Sequence, residues 1–166
     1  MAQTPPELEL REFPGSGDPA GLLPPRTGEL ATFFNALRGR RLILQACAAC
    51  NRMRHPVAPV CPYCGGRGWE WRPCSGSGTV HSWVRFRRGY VPEFEPLLPY
   101  DVLCVALAEG PRMFGRLAEG PAEPWIGMGV RAIVERLPGG ECVPAFVAAD
   151  AGSPRDGGRA ELEARA

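Results

Sequence analysis

The chain has 166 residues, a formal net charge of +1 and a hydrophobic fraction of 45%, values that suit one globular domain with a small appended module. The near-neutral charge gives no electrostatic reason to expect a nucleic-acid or membrane partner. All 19 basic residues are arginine, so Schiff-base chemistry by a lysine of this chain is excluded.

The composition also predicts where the protein resides. No run approaches the roughly 20 apolar residues that cross a bilayer, and the first residues lack the basic and apolar regions of a secretory signal. We therefore expect a cytoplasmic protein. In that compartment paired cysteines are metal ligands or redox groups rather than disulfides.

Residues 1–26 are rich in proline and glycine. Proline removes a backbone donor and fixes φ, so such a segment cannot sustain regular hydrogen-bonded structure. The sequence predicts a disordered or extended arm here.

Residues 27–40 are predicted to form a helical unit, with the helix itself at Gly28–Arg38. Thr27 is a suitable N-cap and Gly39 a suitable stop. Apolar residues that include Phe33 and Phe34 fall on one face at helical spacing. That face either packs on its own domain or uses the two phenylalanines to anchor a partner.

Residues 41–73 contain two Cys-x-x-Cys knuckles, Cys47–Cys50 and Cys61–Cys64. Four thiolates satisfy tetrahedral zinc and leave no open position, so the site would be structural. The gap between the knuckles is short for a zinc ribbon but long enough for a small hairpin. Rubredoxin-like iron is the competing interpretation, although Asn51 stands where that type of knuckle has glycine.

Residues 74–149 change in character to β-strands. Five strands are predicted, separated by turn sequences rich in glycine and proline: Thr79–Arg88, Asp101–Ala108, Arg112–Leu117, Val130–Arg136 and Val143–Ala148. Within the first strand, alternation predicts Val80 and Val84 on one side and His81 and Trp83 on the other. Five strands in a small unit suggest an OB-fold barrel. Residues 150–166 are predicted to be a disordered tail.

One stretch combines arginine with aromatic residues, the side chains enriched at interaction hot spots. Its candidate contact residues are Trp83, Arg85, Phe86, Tyr90 and Phe94. The alternative is that half of them face the barrel core. The acidic Glu93 and Glu95 in the same stretch count against a nucleic-acid groove.

The sequence carries no recognisable catalytic motif. The sequence has no GxSxG elbow, Walker loop or dinucleotide fingerprint, and neither His55 nor His81 is paired by sequence with a nucleophile. We therefore predict no catalytic residue in this chain.

The order of these elements resembles the family known as domain of unknown function 35, a rubredoxin-like zinc ribbon joined to an OB-fold. The resemblance rests on FFNALRGRRLILQACAAC (33–50), VCPYCG (60–65), GSGTVHSWV (76–84), PYDVLCVALAEGPRMFGRL (99–117) and IGMGVRAIVE (126–135). It covers residues 29–148 and implies that Cys47, Cys50, Cys61 and Cys64 bind structural zinc.

The resemblance also implies a function. Members of that family accompany thiolase-superfamily enzymes that act on acyl-CoA thioesters, among them thiolases and steroid side-chain aldolases. This chain would then be a non-catalytic subunit, expected in a two-plus-two heterotetramer, that contacts a CoA thioester together with its partner.

Two other functions are compatible with the sequence. One is a single-stranded nucleic-acid-binding protein of ribbon and OB-fold, which steeply salt-dependent binding would reveal. The other is a rubredoxin-like electron carrier, which the metal content would reveal.

Overall fold

The computed structural model describes residues 6–24 and 27–149. The strands are β1 (Leu10–Glu12), β2 (Ile43–Cys47), β3 (Met53–Arg54), β4 (Trp69–Pro73), β5 (Ser77–Phe86), β6 (Tyr100–Leu107), β7 (Arg112–Glu119), β8 (Gly129–Arg136) and β9 (Cys142–Ala148). One α-helix, α1 (Gly28–Arg38), and two 3-10 helices, Pro19–Leu22 and Pro92–Leu97, complete the described elements. None of these helices is long and apolar enough to cross a membrane.

Strands β5 to β9 form a closed barrel. Neighbouring strands follow the order β8-β5-β6-β7-β9, and the β8–β9 pairing closes the circle. Most pairings are antiparallel, but β7 and β9 run parallel. All five strands expected from the sequence are present, which confirms the mainly β fold with an OB-fold barrel.

A β-bulge at His81 changes which side of β5 each later side chain points to, compared with the strict alternation predicted from the sequence. The register shifts between Val80 and Ser82, and an extra residue reverses the alternation beyond it. Val80 is 1% exposed in the barrel core, whereas Val84 is 50% exposed on the outside. The prediction that the two valines share a side was therefore wrong.

The N-terminal segment also differs from the prediction of a disordered arm over residues 1–26. Strand β1 pairs in parallel with the second half of β8, where Leu10 lies opposite Val134. This half of β8 extends beyond the last β5 partner, Ser77, which lies opposite Arg131, so β1 supplies backbone partners that β5 does not. The tail expected over residues 150–166 lies outside the described residues.

A smaller three-stranded sheet, ordered β3-β2-β4, forms the ribbon. Helix α1 has the predicted bounds; Thr27 occupies its N-cap position, although the hydroxyl makes no capping hydrogen bond. The buried face of α1, the ribbon and the barrel interior belong to one hydrophobic core, which includes Leu37, Leu44 and Leu103, each at most 1% exposed. The ribbon is thus packed onto the barrel.

Candidate metal centre and contact residues

The fold brings the four knuckle cysteines together. Their sulfur atoms all lie within 4.8 Å of one another. Two separations that join different knuckles are short: Cys47 Sγ to Cys64 Sγ is 3.6 Å, and Cys50 Sγ to Cys61 Sγ is 3.7 Å. No other group of three or more potential ligands occurs among the described residues.

The two knuckles have the same backbone geometry. In the first, the Asn51 N–H donates to the Cys47 carbonyl at 2.9 Å; in the second, the Gly65 N–H donates to the Cys61 carbonyl at the same distance. Asn51 and Gly65 have left-handed φ angles of 60° and 74°. Asparagine is among the few side chains that tolerate this conformation, so Asn51 serves where the sequence pattern expects glycine.

Backbone donors and neighbouring thiols set the ionisation of the cluster. N–H groups of its own knuckle lower the pKa of Cys47. Burial disfavours the Cys61 thiolate, but the Tyr63 N–H and other donors outweigh it and lower the pKa of Cys61 to about 6. The Gly66 N–H favours the Cys64 thiolate, yet the other cysteines and burial raise the pKa of Cys64 to about 12. A bound cation would favour ionisation of all four thiols, because metal ligation requires the thiolate form.

The sulfur arrangement fits zinc. Four ligands at the usual Zn–S distance of about 2.3 Å in a tetrahedron have sulfur–sulfur separations of about 3.8 Å, close to the separations found here. The four thiolates would fill the coordination shell. Such a site holds two knuckles together and leaves no position for substrate or water.

The remaining candidate ligand, His55, lies apart from the cluster. Its ring packs on Phe33 with centroids 5.6 Å apart. Its Nδ1 is buried without a hydrogen-bond partner, and burial lowers the pKa of the imidazole. His55 is therefore a partly buried side chain that packs on the helix, outside the sulfur cluster.

The helix residues considered for partner contact are turned inward. Phe33 is 4% exposed and Phe34 8% exposed, and their rings meet edge to face at 5.4 Å. Both belong to the main hydrophobic core. The structure therefore places them in the packing of this chain and away from its surface.

The arginine and aromatic stretch divides into two groups. In the first, Arg85 donates two 2.8 Å hydrogen bonds to the Asp101 carboxylate, and its guanidinium lies 5.6 Å from the Trp83 ring centroid. Asp101 is buried, with 8% of its surface exposed. Arg85 is therefore held by a neighbouring strand.

The second group is an aromatic cluster at one end of the barrel. Phe86 stacks on Tyr100 at 5.0 Å, and exposed Tyr90 meets the Phe86 ring edge to face. Phe94 packs between Tyr100 and Phe13. The sequence singled out three of these residues but missed Phe13 and Tyr100, because their partners are distant along the chain.

Behind this cluster lies an apolar cavity of about 210 Å³. Phe13, Leu23 and Phe94 line one side and the barrel the other. On the barrel side Arg116 donates to the Glu135 carboxylate, an ion pair whose members are 14% and 3% exposed. The N-terminal segment thus forms a wall of the cavity.

A closed four-thiolate ribbon packed on an OB barrel defines the class of this protein, and comparisons with known families agree. The family described as "ChsH2, rubredoxin-like zinc ribbon domain" matches residues 34–70. The family described as "ChsH2, C-terminal OB-fold domain" matches residues 71–135. The structural zinc site expected from the sequence is thereby supported.

Similar proteins identify the family more closely. A "DUF35 domain-containing scaffold protein" of Methanocaldococcus jannaschii is 30% identical over 98 residues, which are 58% of this chain and 69% of that protein. A chain of the solved "Ltp2-ChsH2(DUF35) aldolase" is 35% identical with a TM-score of 0.67, and the match covers 76% of this chain and all of that one. The chain belongs to the DUF35 family, as its sequence resemblance indicated.

A third relative is a larger protein. The "Probable enoyl-CoA hydratase alpha subunit" of Thermomonospora curvata is 38% identical over 107 residues. The matched segment is 64% of this chain but only 33% of that protein. The similarity therefore concerns one part of the hydratase subunit.

Proposed function

We propose that this chain is a non-catalytic accessory subunit that binds and supports an enzyme acting on acyl-CoA thioesters. The observation that carries the proposal is the 35% identity over the whole length of a chain from the "Ltp2-ChsH2(DUF35) aldolase". The "scaffold" name of the archaeal relative points the same way. A saturated thiolate site agrees with a supporting role, since it offers no open coordination position.

The proposed partner is a thiolase-superfamily enzyme that carries out Claisen, retro-Claisen or retro-aldol chemistry, with steroid side chains as one substrate class. We further propose a two-plus-two assembly, a CoA thioester contacted jointly by both subunits, and one structural zinc bound by Cys47, Cys50, Cys61 and Cys64. The family resemblance supports the partner class, and the sulfur geometry supports the metal ligands.

Co-expression with each thiolase-superfamily enzyme of the source genome tests the proposal. We expect one of them to elute with this chain as a stable complex and to lose solubility or acyl-CoA turnover without it. An enzyme set that is equally soluble and active in the absence of this chain would contradict the accessory role. Metal analysis of the same preparation should find one zinc per chain; iron would favour the electron carrier instead.

The Thermomonospora relative favours a second candidate, an accessory role for an enoyl-CoA hydratase. The two candidates differ in the reaction of the partner. Hydration of an enoyl-CoA by the purified complex would identify the hydratase role, and carbon–carbon bond cleavage or formation would identify the thiolase or aldolase role.

A further inference from the structure

The outer surface formed by β5, β6 and β7 is largely apolar. Cross-strand pairing places its side chains in rows, because residues opposite one another in a sheet point to the same face. The two central rows are Ser82, Cys104 and Phe114, and Val84, Val102 and Arg116. We call this surface the β5–β7 face.

Two large apolar side chains of the β5–β7 face are open to solvent. Phe114 is 68% exposed and Val84 is 50% exposed. They lie in adjacent rows on either side of β6, and the 7% exposed Cys104 and the half-buried Val102 lie between them. Val102 and Arg116 also line the apolar cavity, so this edge of the face borders the N-terminal segment. Neighbouring exposed apolar side chains can mark an interaction site, whereas single exposed apolar residues are common on any protein surface.

The charges on this face are uneven. Arg116 is neutralised by the Glu135 carboxylate. Arg112 lies two residues before Phe114 in β7, on the same face and exposed, and no described carboxylate pairs with it. A surface that complements this face would therefore be apolar at its centre and carry a carboxylate opposite Arg112.

The position of the face in the barrel also indicates which class of partner it binds. β6 and β7 are the second and third strands of the OB-fold, the strands whose surface binds ligands in this architecture. Grooves for single-stranded nucleic acid combine several aromatic platforms with a basic track. The two central rows of the β5–β7 face offer one exposed aromatic ring, Phe114. In the next row Phe86 and Tyr100 are half-buried and stack on each other. The only arginine beside these rows without a described carboxylate partner is Arg112, so the chemistry of the face favours a protein.

We propose that the β5–β7 face is the docking surface for the partner enzyme, through an apolar segment centred on Phe114 and Val84 and an acidic side chain paired with Arg112. This inference rests on the proposed function, since it assigns a surface to the partner. The docking residues differ from the helix and loop aromatics that the sequence singled out. Phe33 and Phe34 are unavailable because they are buried.

Charged substitutions on the face test the proposal in the complex with the thiolase-superfamily enzyme that co-elutes with wild type. Phe114→Arg and Val84→Arg should each weaken binding at least ten-fold in a titration by calorimetry. Arg112→Glu should also weaken binding. Zinc content and thermal midpoint should stay at the wild-type values, because all three side chains are exposed.

Ile126→Arg is the matched control, since Ile126 is an equally exposed apolar residue (72%) that lies in the loop before β8. We expect it to bind the enzyme like wild type. If wild type binds the enzyme and Phe114→Arg binds equally well, the docking surface is wrong while the accessory role stands. If wild type binds no such enzyme, the accessory role itself fails.

A binding assay with an oligothymidine distinguishes a protein partner from single-stranded nucleic acid. A proteinaceous partner predicts no measurable binding at physiological salt. Tight binding that Phe114→Ala removes would overturn the assignment and identify the face as a nucleic-acid surface.

Discussion

The four clustered cysteines are the residues whose arrangement the sequence predicts best, because a Cys-x-x-Cys turn is a local structure. Two such turns need only be brought together for their sulfur atoms to surround one ion. Asn51 departs from the glycine pattern, yet its left-handed φ of 60° reproduces the geometry of Gly65. The Arg72 guanidinium donates to the Asn51 side-chain oxygen at 2.9 Å, a contact glycine could not make.

Removal of one thiolate should abolish the metal site. We expect Cys61→Ala to lose zinc and solubility together, because the metal binding energy of a small ribbon is largely folding energy. The activity of the proposed partner enzyme should fall only through loss of its complex with this chain. Metal analysis and thermal unfolding measure both effects.

Cys104→Ala is the matched control for this prediction, since Cys104 is a buried cysteine outside the cluster. It should keep its zinc. A Cys61→Ala protein that stays folded and binds its partner without metal would contradict the structural role of the site.

His55 predicts a specific pH dependence. Burial lowers the pKa of His55 below the ordinary value of 6.5. Between the two pKa values the imidazole is therefore protonated in the unfolded chain and neutral in the folded chain. The free energy of unfolding should therefore fall as the pH drops below about 6.5, by at most about 1.4 kcal/mol per pH unit. Urea unfolding at several pH values should show that His55→Phe removes this contribution.

The chain provides the control, because its only other histidine, His81, is exposed. His81→Phe removes an exposed imidazole and therefore controls for the loss of a histidine as such. Zinc release at acidic pH affects all three proteins, so the difference between wild type and His55→Phe isolates the imidazole. Equal slopes for the two substitutions would show that burial of His55 is not the cause.

Among the elements, the strands and α1 could be predicted because alternation and helical spacing are properties of neighbouring residues. The β5 bulge could not, since it depends on the partner strand: Val80 must face Val105 inside the barrel while Ser82 faces Cys104 outside. β1 was missed for the same reason. Proline-rich sequence predicts a lack of local structure, but β8 supplies a long-range partner.

The loop from β1 to the first 3-10 helix is held by a close approach at Gly15. A Cβ on Gly15 would lie 2.3 Å from the Glu93 carbonyl oxygen and 2.4 Å from the Phe13 ring. Gly15→Ala should therefore displace this loop, with a cost of about 1–3 kcal/mol typical of overpacking. The Ser16 N–H bond to Glu93 would be lost with it.

Thermal unfolding and trypsin cleavage after Arg11 measure this effect, and we expect faster cleavage in the variant. Gly21→Ala is the control, since a Cβ there meets no atom within 4 Å. Equal cleavage rates for the two variants would mean that the contact at Gly15 does not hold the segment.

At the scale of the whole molecule, the ribbon and the barrel share one hydrophobic core. Leu44 of the ribbon, Leu37 of the helix and Phe146 of the barrel belong to the same cluster, with no more than 1% exposure each. The boundary between the two matched families falls between residues 70 and 71. Residues on both sides of this boundary pack in the same core. The sequence predicts such modules from their motifs and carries no local signal for the contact between them.

Cooperative unfolding is the expected consequence. Calorimetry should show a single transition whose calorimetric and van't Hoff enthalpies agree, and removal of zinc should lower the midpoint of the entire transition. Two transitions, of which the barrel's is unchanged by chelation, would show that the ribbon and the barrel unfold independently.

The pairing of β1 with β8 has a consequence for synthesis. Leu10 pairs with Val134, which lies 124 residues later in the chain. At a synthesis rate of about 5–20 residues per second, Val134 is made roughly 6–25 s after Leu10. During that interval β1 has no β8 to pair with. The N-terminal segment is therefore among the last parts to find its place, at the time when the barrel closes.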